Sequence, residues 1–313
     1  MLYADVTLTS RPPLSPFTVL LNAHAGRGLA RRKWPALQAE LERRAIPFTL
    51  LETVSADEAR RHMQTLAPGT PVMTVGGDGT VAGILPFLVE SGRPLAVIPL
   101  GSGNDFAGML GLKPGDFGEA LDRLAYAPRA ADVLDIHVLE GDLAGQHRLM
   151  LNGLGMGFDA QVNQAMKRAP ARWPGLARYA WGALTSIRHL HLLPVTVQVD
   201  GQPFYSGPSC LCAVMNGTRY GGGFRISPRS DARDGLLNVV ASGPIDRAEL
   251  VKLMLQVLAA SHLDKPKVHA TPGRHVSVRW DSPIALHIDG EDAGMVRSLQ
   301  VTVRPNAVQL LNA

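Results

Sequence analysis

Gly76-Gly77-Asp78-Gly79-Thr80 stands between the apolar run PVMTVGG at 71–77 and a segment with helical spacing at 79–90. Glycines at such a strand-to-helix turn let backbone N–H groups approach an anion closely, and the helix start adds its positive dipole end. Asp78 cannot itself ligate an anion. Beside a phosphate it implies a magnesium ion, a proton to accept or a positioned water, and the bland alternative is an N-cap in a tight turn. The arrangement recurs at Pro99-Leu100-Gly101-Ser102-Gly103-Asn104-Asp105-Phe106, and a third polar loop runs Asn22-Ala23-His24-Ala25-Gly26-Arg27-Gly28. The Walker pattern G-x-x-x-x-G-K-[ST] is absent, as is a dinucleotide G-x-G-x-x-G with its distal acid, which weighs against hydride transfer.

The elements that must carry these loops alternate. FTVLLN at 17–22, IPFTLLE at 46–52, PVMTVGG at 71–77 and LAVIPLG at 95–101 read as strands, with helices expected over 28–45, 56–67 and 79–90. That order predicts a parallel sheet with crossover helices, whose ligands bind at the carboxyl ends of the strands. The three glycine-rich loops are therefore expected to converge on one crevice. After about residue 130 the pattern becomes strand-rich, with strands expected at 131–139, 147–154, 194–200, 208–216, 235–242, 274–280, 283–289 and 297–303, interrupted by helices at 174–190 and 246–260. Val199-Asp200-Gly201 and Ile288-Asp289-Gly290 have the chemistry of tight hairpin turns. The expected division is 1–130 and 131–303, the last strand at about 304–313 being a candidate to return to the first domain.

A chain of 313 residues with 46% hydrophobic and 19% charged residues has the composition of a globular protein of about two domains. The charge sum of 31 basic against 27 acidic residues gives +4. Without concentrated basic blocks it speaks against a dedicated nucleic-acid binder and leaves nucleotides, phosphoryl groups and anionic lipid heads as partners. Two cysteines exclude a disulfide framework; Cys210 and Cys212 read as buried inert thiols. The histidines show no metal-ligand spacing, His189-x-His191 coming nearest. With no leader pattern in residues 1–17 and no apolar run of spanning length, a soluble cytoplasmic protein is expected. The segment Lys167-Arg168 to Arg172-Trp173, followed by LARYAWGALTSIRHLHLL, mixes cations with indoles and reads either as a membrane-interface stretch or as a helix packed on the second domain.

The ordered set Asn22-x-x-x-Gly26, GGDGT at 76–80, PLGSGNDF at 99–106, NGLGMGFDA at 152–160, ARDGLL at 232–237 and DGE at 289–291 resembles the bacterial diacylglycerol kinase and sphingosine kinase catalytic-domain family. GGDGT alone is shared with NAD kinases; the ordered set spans nearly the whole chain. The resemblance implies a three-layer Rossmann-like nucleotide-binding domain, a C-terminal antiparallel β-sandwich that binds lipid, and an active site in the cleft between them. It implies ATP and Mg2+ as cofactors and a lipid hydroxyl as phosphoryl acceptor. Peripheral membrane attachment is implied with it, the oligomeric state staying open, a homodimer included.

Carried over by position, ATP contacts fall on Asn22, Thr53, Gly76, Gly77, Asp78, Gly79, Thr80, Gly101, Ser102, Gly103, Asn104 and Asp105. A structural magnesium falls on Asp234 with the carbonyls of Asp231 and Leu236. Glu291 falls on the family's proton acceptor, with Asp78 as its rival and Asp289 beside it in the catalytic set. Ala23 stands where proline is common and Ser102 where threonine is. A soluble-substrate kinase such as an NAD kinase, or a catalytically silent lipid-binding protein of the same fold, remains the alternative.

Overall fold

Four short apolar strands, β1 (Phe17–Asn22), β2 (Phe48–Thr53), β3 (Val72–Gly76) and β4 (Leu95–Pro99), form a parallel sheet in a computed structural model that describes residues 16–170, 173, 175–221 and 223–313. Their order across the sheet is β4-β3-β1-β2. The chain thus leaves β1 on one side to make β2 and returns on the other to make β3, which places a topological switch point between β1 and β3. The crossovers are α1 (Ala25–Arg43), α2 (Ala56–Thr65) and α3 (Asp78–Ser91), followed by the short α4 (Asp105–Met109) and α5 (Phe117–Asp122). Within α1, Gly26, Arg27 and Gly28 are all left-handed, so the regular helix begins after them, in keeping with the expected start at 28. Ser55 caps α2 by accepting from the Glu58 N–H.

The chain divides into two compact units, the first holding the described residues up to Ala130 together with Val308–Ala313, the second Ala131–Ala307. The second unit is a β-sandwich. Its strands are β5 (Arg129–Gly141), β6 (His147–Met150), β7 (Gly153–Gly157), β8 (Leu193–Val199), β9 (Gln202–Ser209), β10 (Leu211–Met215), β11 (Leu237–Ser242), β12 (Val268–Gly273), β13 (His275–Ile288) and β14 (Glu291–Leu310). They run β12-β11-β10-β7-β13-β14, with β8 and β9 added at β13, and β5 and β6 added at β14. Alternate residues of both layers, among them Ile136, Met156, Val197, Val278, Trp280 and Val301, fill one core. Three helices, α6 (Phe158–Arg168), α7 (Gly175–Ile187) and α8 (Arg247–Leu258), cover a second cluster around Phe158, Tyr220, Phe224 and Val257. The tail of β14 re-enters the first unit's sheet, where Leu310 pairs with Leu95, and the Asn312 amide bonds both polar groups of the Val97 backbone.

Several expected elements are corrected. The strand expected at 147–154 is two strands broken at Leu151-Asn152, and those expected at 274–280 and 283–289 are one strand with a register shift between Arg279 and Ile284. β9 and β12 were not expected; they carry Pro203, Pro208 and Pro272, and both lie at sheet edges, where a missing N–H is tolerated. Helix α6 was not expected either. Asp200-Gly201 and Asp289-Gly290 do make hairpin turns, with φ of 52° and 77° and of 48° and 81°. Cys210 and Cys212 are buried free thiols, and burial pushes Cys210 up to about 11. No helix among the described residues is long and apolar enough to cross a membrane. Residues 1–15 and Arg172 lie outside the described residues.

Candidate active site

The three glycine-rich loops stand at the ends of the neighbouring strands β1, β3 and β4, and they interlock through backbone. A Cβ on Gly101 would lie 2.3 Å from Gly77 Cα, and one on Gly26 would lie 2.3 Å from the Leu100 carbonyl oxygen, so no larger residue fits either place without moving a chain. The Leu100 N–H donates to the Gly76 carbonyl at 2.7 Å. Asn104, itself left-handed, closes the β4 loop by accepting from the Gly101 N–H and donating to its carbonyl, both at 2.8 Å. At the end of β1, Asn22 Nδ2 donates to Thr80 Oγ1 at 3.1 Å and ties the first loop to the third strand's turn.

Two features of this cluster suit an anion. Helix α3 begins at Asp78, and its N-cap residue, Gly77, puts no side chain over the first amides. Gly79 is exposed and lacks a positive φ, and a Cβ there would meet nothing within 4 Å. Ser102 and Gly103 are exposed beside it on the β4 loop. Asp78 does not cap α3. Its carboxylate reaches across to the start of α4 and accepts from Asp105 N at 2.8 Å and Phe106 N at 3.1 Å, so the loop aspartate holds the β4 loop in place. Asp105 is buried. Thr53 is 2% exposed and its hydroxyl donates to the Leu21 carbonyl, turned into the sheet.

In the second unit the DGE motif is the tip of the β13–β14 hairpin. The Asp289 carboxylate accepts three backbone N–H groups, from Leu151 at 3.0 Å, Asn152 at 2.9 Å and Gly153 at 3.0 Å, fixing the tip to the β6–β7 corner. Burial nonetheless raises its carboxyl above the ordinary range, against the lowering effect of those amides and of His287. Glu291 projects from the tip with its side chain 75% exposed and pairs with Lys167 at 3.5 Å.

Helix α6 supplies partners that the sequence reading missed. Asn163 Nδ2 donates to the Gly290 carbonyl at 2.6 Å and Gln164 Nε2 to Asp292 Oδ1 at 3.0 Å. Asp159 lies 3.4 Å from His287 Nε2 and accepts from the Tyr220 hydroxyl, all three residues being buried. Residues 159, 163 and 167 follow one another at i, i+4 and i+8, so one face of α6 reads the whole tip. The signal was available: the polar residues of FDAQVNQAMKR recur at helical spacing directly after the NGLGMG strand.

Asp231 and Asp234 lie in the loop before β11. Asp132, fully buried, holds that loop by accepting from Gly235 N at 2.7 Å and Asn306 N at 2.8 Å. The Asp234 carboxyl is raised by burial first and by the neighbouring Asp231 and Asp132 charges, while it accepts from Leu236 N at 2.9 Å. Asp231 is paired with Arg233 at 3.0 Å. Among the described residues no three histidine, cysteine or acidic side chains are grouped as a metal site.

Against known proteins, residues 16–136 match the diacylglycerol kinase catalytic domain, and residues 153–312, more than half of the chain, match the YegS C-terminal NAD kinase beta sandwich-like domain. The chain belongs to the diacylglycerol kinase and YegS-like lipid kinase family. A diacylglycerol kinase of Mycobacterium tuberculosis H37Rv is 29% identical over 304 residues, covering 96% of each chain. A Pseudomonas savastanoi protein described as "Probable lipid kinase YegS-like" is 29% identical over 264 residues, covering 82% of this chain and 81% of its own. The crystal structure of a diacylglycerol kinase from Bacillus anthracis superposes with a TM-score of 0.68 at 19% identity over 97% of this chain and 98% of that one, a likeness of fold. Membership of this kinase family accounts for the two-unit architecture and for phosphotransfer as the class of chemistry.

Proposed function

We propose that this kinase moves the γ-phosphoryl group of ATP to the hydroxyl of a lipid of diacylglycerol or sphingoid type. The observation that carries the nucleotide half is the start of α3, with no side-chain cap from Gly77, beside the open space over Gly79, framed by loops whose Gly26, Gly77 and Gly101 are required by packing. In this reading the phosphates lie over Gly76–Thr80 and Gly101–Asn104, with Asn22, Thr80 and Ser102 as polar contacts. Thr53 acts through the sheet, and Asp105 through the α4 start. The acceptor half rests on full-length relatives named as diacylglycerol kinases, since the sandwich match by itself is also NAD kinase-like.

Glu291 is the residue we assign to take the hydroxyl proton on its carboxylate. Its rivals have their oxygens engaged: Asp78 by two amides and Asp289 by three. Their roles are then to position the β4 loop and the tip that carries Glu291. The carboxylate of Asp234 with the carbonyl oxygens of Asp231 and Leu236 would be an all-oxygen donor set of the kind magnesium takes, and a cation there would offset the burial of Asp234 beside the Asp231 and Asp132 charges. A magnesium ion held there would be structural, relieving the charge on the loop before β11; the phosphoryl transfer itself would ask mainly for positioning and charge neutralisation rather than a strong base. The reaction is attributed to cytoplasmic protein working at a membrane surface. Incubating the protein with γ-labelled ATP, magnesium and a lipid panel in mixed micelles tests the reading. Label in a lipid supports it, and label in NAD with none in any lipid would overturn it.

A further inference from the structure

The motif NGLGMGFDA at 152–160 enters the phosphotransfer reading only through the amides that hold Asp289; its own carboxylate, Asp159, has no part in it. Asp159 is 5% exposed on the first turn of α6. Its Oδ1 accepts from the Ala160 N–H at 2.8 Å, its Oδ2 accepts from the Tyr220 hydroxyl, and His287 Nε2 stands 3.4 Å from that same oxygen. The Tyr220 ring meets the imidazole edge-on, the centroids 4.6 Å apart at 80°. His287 Nδ1 is buried without a partner, so Asp159 is the polar group that orients the ring. For stability alone, apolar side chains of the same volume would serve as well as a buried carboxylate beside an imidazole. Hydrogen bonding adds a single orientation of the ring.

That orientation matters because of where His287 stands. Between Ala285 and His287 the β13–β14 ladder slips: Leu286 alone on β13 faces Ala293 and Gly294 on β14, and Gly294 is left-handed with φ of 77°. Such a bulge bends the ribbon and re-aims the residues beyond it. His287 is the first residue of β13 past the bulge, in register with Asp292, and Ile288 follows in register with Glu291. On the other side, the strand partner of His287 is Gly155, which has no side chain to make the cross-strand pair that usually steadies such a root. A Cβ at Gly155 would lie 1.7 Å from Asp159 Oδ2 and 2.5 Å from His287 Nε2. The carboxylate from α6 thus occupies the place of the missing partner.

We propose that His287, held by Asp159 and Tyr220, is a positioning residue that locks the root of the β13–β14 hairpin and so sets the direction in which Glu291 projects. Asp289, Asn163 and Gln164 hold the tip beyond the root; the buried trio fixes the angle at which the tip leaves the bulge. The consequence for turnover rests on the reading of Glu291 as proton acceptor. The lock itself is read without it.

His287→Phe keeps a ring of similar size and removes Nε2. In the full chain, with dioctanoylglycerol in mixed micelles as acceptor, it should lower kcat about tenfold or more and leave the KM for ATP unchanged. His287→Gln puts an amide N–H where Nε2 stood and should restore most of the loss. Asp159→Asn should act as His287→Phe does, and the two combined should lose no more than either alone, because both act through one contact. The amide NMR signals of Gly290 and Glu291, one set each in the wild type, should broaden or split in His287→Phe and return to one set in His287→Gln. If His287→Phe melts early, Asp159→Asn carries the same readings. Tip signals and kcat that ignore these substitutions, or a loss that follows Tm and that glutamine does not restore, would overturn the proposal. Tip signals that respond as expected in a protein that phosphorylates no lipid would leave the lock standing and overturn the lipid-kinase reading.

Discussion

Two glycine-to-alanine changes in adjacent loops should have opposite effects, because one glycine is required by packing and the other is not. At Gly101 a Cβ would sit 2.3 Å from Gly77 Cα and 2.9 Å from both Gly77 N and Asn104 Oδ1. Ordinary carbon contacts are about 3.5 Å or longer, so the loops must part by about 1.2 Å. That strains the two Asn104 hydrogen bonds and the Leu100–Gly76 bond. At about 1 kcal/mol each, Gly101→Ala should cost about 2–3 kcal/mol, or roughly 5–10 °C in Tm. Gly79 lies in the first turn of α3 with open space around the added methyl. By helix propensity alone Gly79→Ala should be neutral or stabilising by about 0.5 kcal/mol. If phosphates occupy that space, however, ATP affinity should fall by about tenfold or more, since each 1.4 kcal/mol of lost contact is a factor of ten. Scanning calorimetry and titration calorimetry with magnesium-ATP read the two effects separately. A Gly79→Ala protein that binds ATP like wild type would show that the phosphates do not lie over α3, and a Gly101→Ala protein with an unchanged Tm would refute the interlocked-loop argument.

Glu291→Gln keeps shape but cannot take a proton, so kcat should fall by about 10²-fold with ATP affinity intact; normal turnover would return the assignment to Asp78. Asn163→Ala should lower kcat less, with KM for ATP unchanged, because it frees the Gly290 carbonyl and loosens the tip; equal loss of Tm and kcat would mark a merely structural role. Asp289→Ala strands three N–H groups and should destabilise the protein by about 2–3 kcal/mol, read from urea unfolding, with Asp289→Asn costing less. Glu40, bonded to Arg43 and Arg44, is held at about 2 rather than 4.5. A depressed carboxyl contributes stability above the unfolded value that is lost as pH falls through the folded one. The Tm deficit of Glu40→Gln should therefore shrink between pH 4.5 and about 2; a constant deficit would assign it to packing.

The parallel sheet was legible because β1, β3 and β4 are short apolar runs that lead into glycine-bearing loops, and β1 occupies the expected residues, Phe17–Asn22. The loops were legible for the same reason, the glycines that permit close packing being those that punctuate the pattern. The second unit was harder to read. β9 and β12 carry prolines that argue against a central strand, and only the sheet order reveals both as edges. β13 read as two strands because Asp281-Ser282-Pro283 interrupts its alternation, and a bulge absorbs the interruption.

Within the candidate site, residue type could not rank the acids. Asp78, Asp289 and Glu291 are all carboxylates beside glycine, and the motif alone gives each the same claim to a proton or a metal. Their partners separate them. Asp289 meets N–H groups 136 to 138 residues away in sequence, and Asp78 meets those 27 and 28 residues away. Such partners are fixed by topology, not by local pattern. Two acids whose oxygens are engaged by amides hold loops in place, whereas the exposed one at the hairpin tip pairs with a lysine from α6, which is why our proposal gives the proton transfer to Glu291. The α6 contacts follow from the same topology: Asn163 lies 127 residues from Gly290, and its polar side chain reads as ordinary helix surface until the hairpin is folded against it.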